Sequence, residues 1–125
     1  MTTQDYQRRS PLRIFLHYFG NHKKLFALDI LCAVGVPVPW NGALYNCAAV
    51  FHRGRLLGLP AKACVPNYSE FYEGRHFTPG PQRPVEVAFA GQRAPLGRGL
   101  LFACQNVPDL TVGVEICEDL WSPLP

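Results

Sequence analysis

Short apolar runs alternate with turn residues along most of the chain. From residue 33 onwards the runs are bounded by Gly, Pro and Asn, which is typical of strands joined by tight turns. Asn41-Gly42 lies between the first two runs and is the strongest short hairpin signal. The predicted strands, the first of them buried, cover residues 33–38, 44–52, 56–59, 85–89, 100–104 and 110–116, with a short helical turn within residues 67–75.

The first 33 residues follow a different pattern. Ser10 followed by Pro11 is typical of a helix start, because Ser caps the helix and Pro presets φ. A broad apolar face follows at residues 12–19, and Gly20 ends it. We therefore predict a helical N-terminal segment at residues 1–33, unrelated to the rest of the chain, and a strand-rich domain at residues 34–125.

The N-terminal segment allows two interpretations. A basic hinge at residues 22–24 between apolar runs is typical of a helix at a membrane surface, and the segment resembles the start of the transmembrane part of ABC-type exporters. A plain amphipathic helix packed on the domain explains the same pattern. Residues 25–40 are interrupted by Asp29 and two prolines, whereas a spanning helix needs ~20 apolar residues. We therefore expect no membrane insertion.

Composition narrows the class of protein. The chain has 125 residues, of which 48% are hydrophobic and 17% charged, so it is expected to fold as one modest domain. The net charge of +3 is too small to argue for a nucleic-acid partner. We see no run of aromatic and basic residues of the kind that binds single strands.

The five cysteines are irregularly spaced, and no CxxC occurs. This odd number does not make a disulfide framework, and the His and Cys spacings do not make a metal site. Free thiols fit a reducing compartment, and the chain carries no cleavable signal sequence. The sequence thus predicts a cytoplasmic protein without a bound metal.

One cysteine stands where a nucleophile could be exposed. Cys117 follows the apolar run 110–116 and precedes Glu118, Asp119 and then prolines. A sharp turn after a strand projects a side chain into a cleft, as in hydrolases with a nucleophile elbow. A thiolate placed there can attack a carbonyl carbon. A small buried hydrophobe is the alternative interpretation of a lone cysteine.

A second segment favours the interpretation of Cys117 as a nucleophile. Lys62 stands among apolar and turn residues, directly before a cluster of aromatic and acidic side chains at residues 67–73. A partly buried lysine can direct its ammonium at developing negative charge. An ordinary solvated lysine is the alternative.

Together these segments resemble the nitrilase, or carbon–nitrogen hydrolase, superfamily, and more narrowly the glutaminase domain of glutamine-dependent NAD synthetases. The similar stretches are residues 44–58, residues 58–80 with the phrase Pro-Asn-Tyr-Ser-Glu-Phe-Tyr-Glu, and residues 114–125 with Glu-Ile-Cys-Glu-Asp-Leu-Trp. The resemblance covers residues 34–125. It implies an α/β fold, a four-layer α-β-β-α sandwich, of which this chain is a partial, strand-rich fragment preceded by N-terminal helices.

The resemblance also implies a reaction and its residues. Cys117 would attack the side-chain amide of glutamine to give a thioester and release ammonia, while Lys62 would stabilise the oxyanion and favour the thiolate. Tyr68 and Phe71 match aromatic residues that line the glutamine pocket.

Two acidic residues complete the site that the resemblance implies. Glu73 matches a second glutamate near the active site and would orient Lys62. Glu118 follows the nucleophile, and its backbone would help to form the oxyanion site.

Parts of the family's machinery are expected to be missing. The acids before Lys62 are Asp5 and Asp29, so the family's catalytic glutamate, which acts as general base, has no counterpart. The family's synthetase domain, which takes ATP, Mg and deamido-NAD, carries a serine-glycine-rich loop that we do not find. We therefore expect no cofactor in this fragment and little or no activity from the chain alone. The resemblance also implies that the full-length protein is a homo-oligomer.

Three alternatives stay open at this point. The chain could be a fragment of another nitrilase-superfamily amidase that acts on a different amide. It could be a non-catalytic, membrane-associated or interaction protein built on the exporter-like N-terminus. It could also lack a stable fold, because splitting a sheet leaves exposed edges.

Overall fold

The computed structural model describes residues 31–123, which form strands, tight turns and two short 3-10 helices. The strands are β1 Leu31–Trp40, β2 Ala43–His52, β3 Arg55–Pro60, β4 Val85–Phe89, β5 Gln92–Gly97, β6 Leu101–Ala103 and β7 Thr111–Gly113. The 3-10 helices are η1, Glu73–Arg75, and η2, Cys117–Trp121. The helices predicted near the N-terminus lie outside the described residues, apart from residues 31–33, which open β1.

Three hairpins build the sheet from local contacts. In each two-residue turn both residues have positive φ, the second being glycine, which matches the turn twist to that of the strands. The pairs are Asn41-Gly42 between β1 and β2, Arg53-Gly54 between β2 and β3, and Ala90-Gly91 between β4 and β5. The Asn-Gly signal is therefore confirmed, and two further turns use the same geometry.

A five-stranded sheet of order β1-β2-β3-β5-β4 results, with β6 and β7 forming a separate antiparallel pair. All neighbours in the larger sheet are antiparallel except β3 and β5, which run parallel at Leu59–Leu96 and Pro60–Gly97. This mixed sheet fits the predicted strand-rich α/β fragment.

The core lies on one face of the larger sheet. Its fully buried side chains come from β1, β2, β3 and β5. Its members are Val38, Tyr45, Cys47, Ala49, Leu56, Leu59, Ala61, Val87, Ala94 and Leu96.

Three predicted elements differ from the structure. The predicted buried strand at residues 33–38 exists as β1, but it is mostly exposed because it borders the sheet; of its residues only Val38 is buried. The last predicted strand shortens to β7, so residues 114–116 are irregular. The helical turn predicted within residues 67–75 narrows to η1.

β5, Gln92–Gly97, lies where the sequence pattern predicted no strand, and it contains a proline. Pro95 lacks the N–H that a central strand normally donates. The structure tolerates it because β3 pairs with β5 only from Leu96 onwards, so at Pro95 the strand has one neighbour, β4. At that residue β5 is in effect an edge strand.

Candidate functional site

Lys62 is held in the sheet by its backbone. After β3 ends, the chain continues beside β2, with a bridge between Cys47 and Ala61. The Lys62 N–H donates to the Asn46 carbonyl at 2.8 Å, and the Lys62 carbonyl accepts from the Gly80 N–H at 2.8 Å. With neighbours on both sides, this residue has little freedom to move.

The Lys62 side chain is buried and paired. Only 1% of it is exposed, and its Nζ lies 2.9 Å from Oε1 and 2.8 Å from Oε2 of Glu73. Glu73 reaches it from η1. A charge removed from water needs such a partner. The interpretation of Lys62 as a solvated surface lysine is therefore wrong.

Cys117 stands at a strained turn. It opens η2, its side chain is exposed, and its φ is +54°, in the left-handed region that residues other than glycine rarely adopt. Strain of this kind clusters at functional sites and also marks the nucleophile elbow. The strand that was predicted to deliver the thiol ends earlier, at Gly113, so the turn itself sets the position of the side chain.

A buried carboxylate joins the cysteine turn to the lysine segment. Asp119, which is 6% exposed, accepts from the Ala63 N–H at 3.1 and 3.2 Å and from the Cys64 N–H at 2.7 Å. These donors directly follow Lys62, and the acceptor lies two residues after Cys117. The two predicted catalytic segments are therefore adjacent in space.

Aromatic side chains border the same turn. The Tyr68 hydroxyl donates to Glu118 at 2.9 and 3.0 Å, and the Tyr68 and Phe71 rings meet edge to face with centroids 5.9 Å apart. The hydrogen bond to Glu118 raises the pKa of Tyr68 above its ordinary value, and the nearby Cys117 and Glu70 charges add to the rise.

The contacts arrange five of the six sequence-predicted site residues in two groups. Lys62 and Glu73 form one, Tyr68, Phe71 and Glu118 form the other, and Cys117 is the neighbour of Glu118 in η2. Asp119, which links the groups, was missed. The acidic pair after the cysteine was visible in the sequence, but nothing there indicates which acid turns inward.

A small cavity lies behind this turn rather than at the thiol. It measures about 110 Å³, and its lining includes Ala63 and Asp119 together with residues 113–115 and 98–101. Lys62 and Cys117 do not line it. It is therefore not the place where an amide would meet both side chains.

Within residues 31–123 we find no cluster of three or more His, Cys, Asp or Glu side chains that could hold a metal ion. The same part of the chain contains no helix that is long and apolar enough to span a membrane.

No protein-family model matches the chain. Individual relatives do match, and several of them are glutamine-dependent NAD(+) synthetases. The chain is 40% identical over 92 residues to the glutamine-dependent NAD(+) synthetase of Mycobacterium leprae, 36% over 95 residues to that of Aquifex aeolicus, and 30% over 105 residues to that of Homo sapiens. These alignments cover 74–76% of the chain but only 13–14% of each relative.

Solved structures give the same result. The fold resembles the crystal structure of a glutamine-dependent NAD(+) synthetase from Cytophaga hutchinsonii, with a TM-score of 0.63 and 28% identity over 82% of this chain and 18% of that one. The chain therefore corresponds to a fragment of these enzymes, and the resemblance inferred from the lysine and cysteine motifs is confirmed.

Proposed function

We propose that this chain is a segment of the glutaminase part of a glutamine-dependent NAD(+) synthetase, and that Cys117 is the nucleophile toward the glutamine amide. The observation that carries the proposal is the bonding of η2 to the lysine segment through Asp119, which places the two motifs side by side. The names and alignments of the relatives supply the reaction class.

The proposed reaction follows from these side chains. The Cys117 thiolate attacks the amide carbon, and negative charge moves onto the carbonyl oxygen. The Lys62 ammonium and the backbone N–H of Glu118 stabilise that oxyanion. The C–N bond then breaks, ammonia leaves with an added proton, and a thioester remains. Water hydrolyses the thioester to glutamate and the free thiol.

A proton carrier is needed in both halves of this cycle. Glu73 is a poor candidate, because both of its carboxylate oxygens bind Lys62. We infer that Glu73 orients the lysine instead, and that the base is a carboxylate that this chain's sequence does not supply, since no glutamate precedes Glu70. The chain alone would then form the covalent adduct with a suitable electrophile but turn over slowly or not at all.

The pocket and the wider role complete the proposal. Tyr68 and Phe71 would contact the aliphatic part of glutamine, and Glu118 closes the same side through its bond to Tyr68. Ammonia released here would serve the ATP-dependent conversion of deamido-NAD to NAD, carried out by parts of the relatives that this chain does not match. A cytoplasmic location and a homo-oligomeric full-length enzyme belong to the same proposal.

The sharpest test uses 6-diazo-5-oxo-L-norleucine, a glutamine analogue that alkylates a thiol with loss of N₂. We expect Cys117 to be labelled, free L-glutamine to compete, and D-glutamine not to compete. Cys117→Ala should abolish labelling, whereas the matched Cys104→Ala should leave it unchanged. Lys62→Met should slow it on the order of 10²-fold. Peptide mass spectrometry identifies the modified residue.

Other outcomes would contradict the proposal. Equal labelling of Cys32, Cys104 and Cys117 would mean that no glutamine pocket exists. Competition by an unrelated amide in place of L-glutamine would favour another nitrilase-superfamily amidase. No labelling of Cys117 at all would favour a non-catalytic role.

A further inference from the structure

Asp119 is placed unlike the other acidic side chains near the site. It is 6% exposed, and both of its oxygens face backbone N–H groups of the lysine segment. Neither N–H has another acceptor in strand pairing, because the bridge to β2 ends at Ala61 and Lys62. A buried carboxylate is stable only where hydrogen bonds replace its lost water.

The position of Asp119 in η2 gives these bonds a second effect. The Asp119 N–H donates to the Ile116 carbonyl, and its own carbonyl accepts from the Ser122 N–H, both at 3.3 Å. The residue therefore closes the 3-10 turn that begins at Cys117 while its side chain fixes that turn to residues 63 and 64. A five-residue 3-10 helix with long backbone bonds would not hold a strained cysteine unaided.

We propose that Asp119 is a positioning residue, whose carboxylate holds the Cys117 turn against the lysine segment and thereby sets the places of Cys117 and Glu118 relative to Lys62 and Tyr68. It touches neither substrate nor reacting atoms. Its role in the reaction rests on the function proposed above, whereas its role in the geometry does not.

Two substitutions separate hydrogen bonding from charge. Oδ1 of Asp119 accepts from both Ala63 and Cys64, so Asp119→Asn keeps these two bonds and loses the charge. Asp119→Ala loses the charge and every side-chain bond but keeps the two backbone bonds of η2. Glu86→Ala removes one carboxylate that is exposed on β4, outside η2 and the lysine segment, and is the matched control.

The first readout is the ionisation of Tyr68, followed by NMR of labelled tyrosine and assigned with Tyr68→Phe. In the wild type the bond to Glu118 should hold the pKa of Tyr68 above the ordinary value of tyrosine. Asp119→Ala should return it towards the ordinary range, because Glu118 moves with the turn. Asp119→Asn and Glu86→Ala should retain most of the elevation.

Three results would overturn the inference. The pKa of Tyr68 could be ordinary in the wild type, or it could stay raised in Asp119→Ala. An equal fall of this pKa in the Ala and Asn variants would indicate an effect of charge rather than of hydrogen bonding. If Asp119→Ala does not fold, amide exchange in the wild type decides. If the amide hydrogens of Ala63 and Cys64 exchange fast while that of Lys62 exchanges slowly, the Asp119 carboxylate does not bind the Ala63 and Cys64 N–H groups.

The second readout is the rate at which two thiol reagents label Cys117. Asp119→Ala should slow labelling of Cys117 by 6-diazo-5-oxo-L-norleucine at least tenfold more than labelling by iodoacetamide, because only the former needs the thiol placed beside the lysine segment. An equal slowing of both reagents would contradict a positioning role. Absence of labelling by the glutamine analogue in the wild type would defeat the proposed function alone, since the Tyr68 titration still tests the geometry.

Discussion

At the scale of single residues, Cys47 and Cys117 place the same side chain in opposite environments. Cys47 is fully buried in the core, where burial raises the pKa of its thiol from 9.0 to about 12, and Cys117 is exposed on its turn. At pH 8 we expect iodoacetamide to modify Cys117 at least 100-fold faster than Cys47, since the thiolate is the nucleophile. Peptide mass spectrometry over time measures both rates, and comparable rates would contradict the buried placement.

The same pKa has a consequence for stability. Below pH 9 the Cys47 thiol is neutral in both folded and unfolded chains, so it makes no pH-dependent contribution. Between pH 9 and about 12 the unfolded chain loses this proton and the folded chain does not, so stability falls as pH rises. Cys47→Ala should flatten part of that fall. Denaturant unfolding at pH 8 and pH 10.5 gives the comparison; parallel losses in the two proteins would count against it.

Removing either partner of the Lys62–Glu73 pair should change the stability of the fold by different amounts. Glu73→Ala leaves a buried ammonium without its partner and should destabilise the fold by roughly 3 kcal/mol, the lower end for a broken buried pair because Glu73 is 26% exposed. Lys62→Met removes the charge and should be nearly neutral. The double variant should recover most of the loss. Urea unfolding of the four proteins tests this, and equal losses from both single variants would refute it.

Most residues of the candidate site could be predicted from the sequence, but Asp119 could not. Cys117 and Lys62 stand out because nucleophile and oxyanion chemistry need rare side chains in particular settings, and their roles remain predictions. Asp119 could not be chosen in advance, because its importance comes from which way a 3-10 turn faces, and Glu118 has the same chemistry one residue earlier.

At the scale of elements, local signals predicted the β1–β2 hairpin and missed both β5 and the features that depend on neighbouring strands. β4 has the predicted bounds, since Val85 and Phe89 belong to a short alternating run closed by a tight turn. The exposure of β1 and the tolerance of Pro95 depend on which strand lies next door, which a local pattern does not contain.

Gly80 tests how tightly the lysine segment is packed. A Cβ at this position would lie 2.6 Å from the Ala61 Cβ and 3.0 Å from the Ala61 carbonyl oxygen, whereas at Gly35 nothing lies within 4 Å. Gly80→Ala should therefore destabilise by about 1–3 kcal/mol, as overpacking does, and should disturb the bond that Gly80 donates to Lys62. Gly35→Ala should change little. Thermal melts decide, and equal shifts in the two variants would contradict the packing.

At the scale of the whole molecule, β1 is an edge strand of the larger sheet in the part of the chain that the structure describes. Pro37 and Pro39 block part of that border, because proline has no N–H to offer another strand. The remaining part carries exposed apolar side chains, including Val34 at 47%. Val34→Lys should reduce concentration-dependent association several-fold without lowering stability. Light scattering at rising concentration measures this, and unchanged scattering would show that association occurs elsewhere.

The bonds from Asp119 to Ala63 and Cys64 join positions 56 and 55 residues apart along the chain. The hairpins close over short loops, whereas a connection of this length forms later because the loop entropy is larger. On a ribosome the lysine segment and its glutamate emerge well before the thiol turn. We therefore expect a nascent chain to fold its hairpins first and the Cys117 turn to reach its place beside the lysine segment only as a late step of folding.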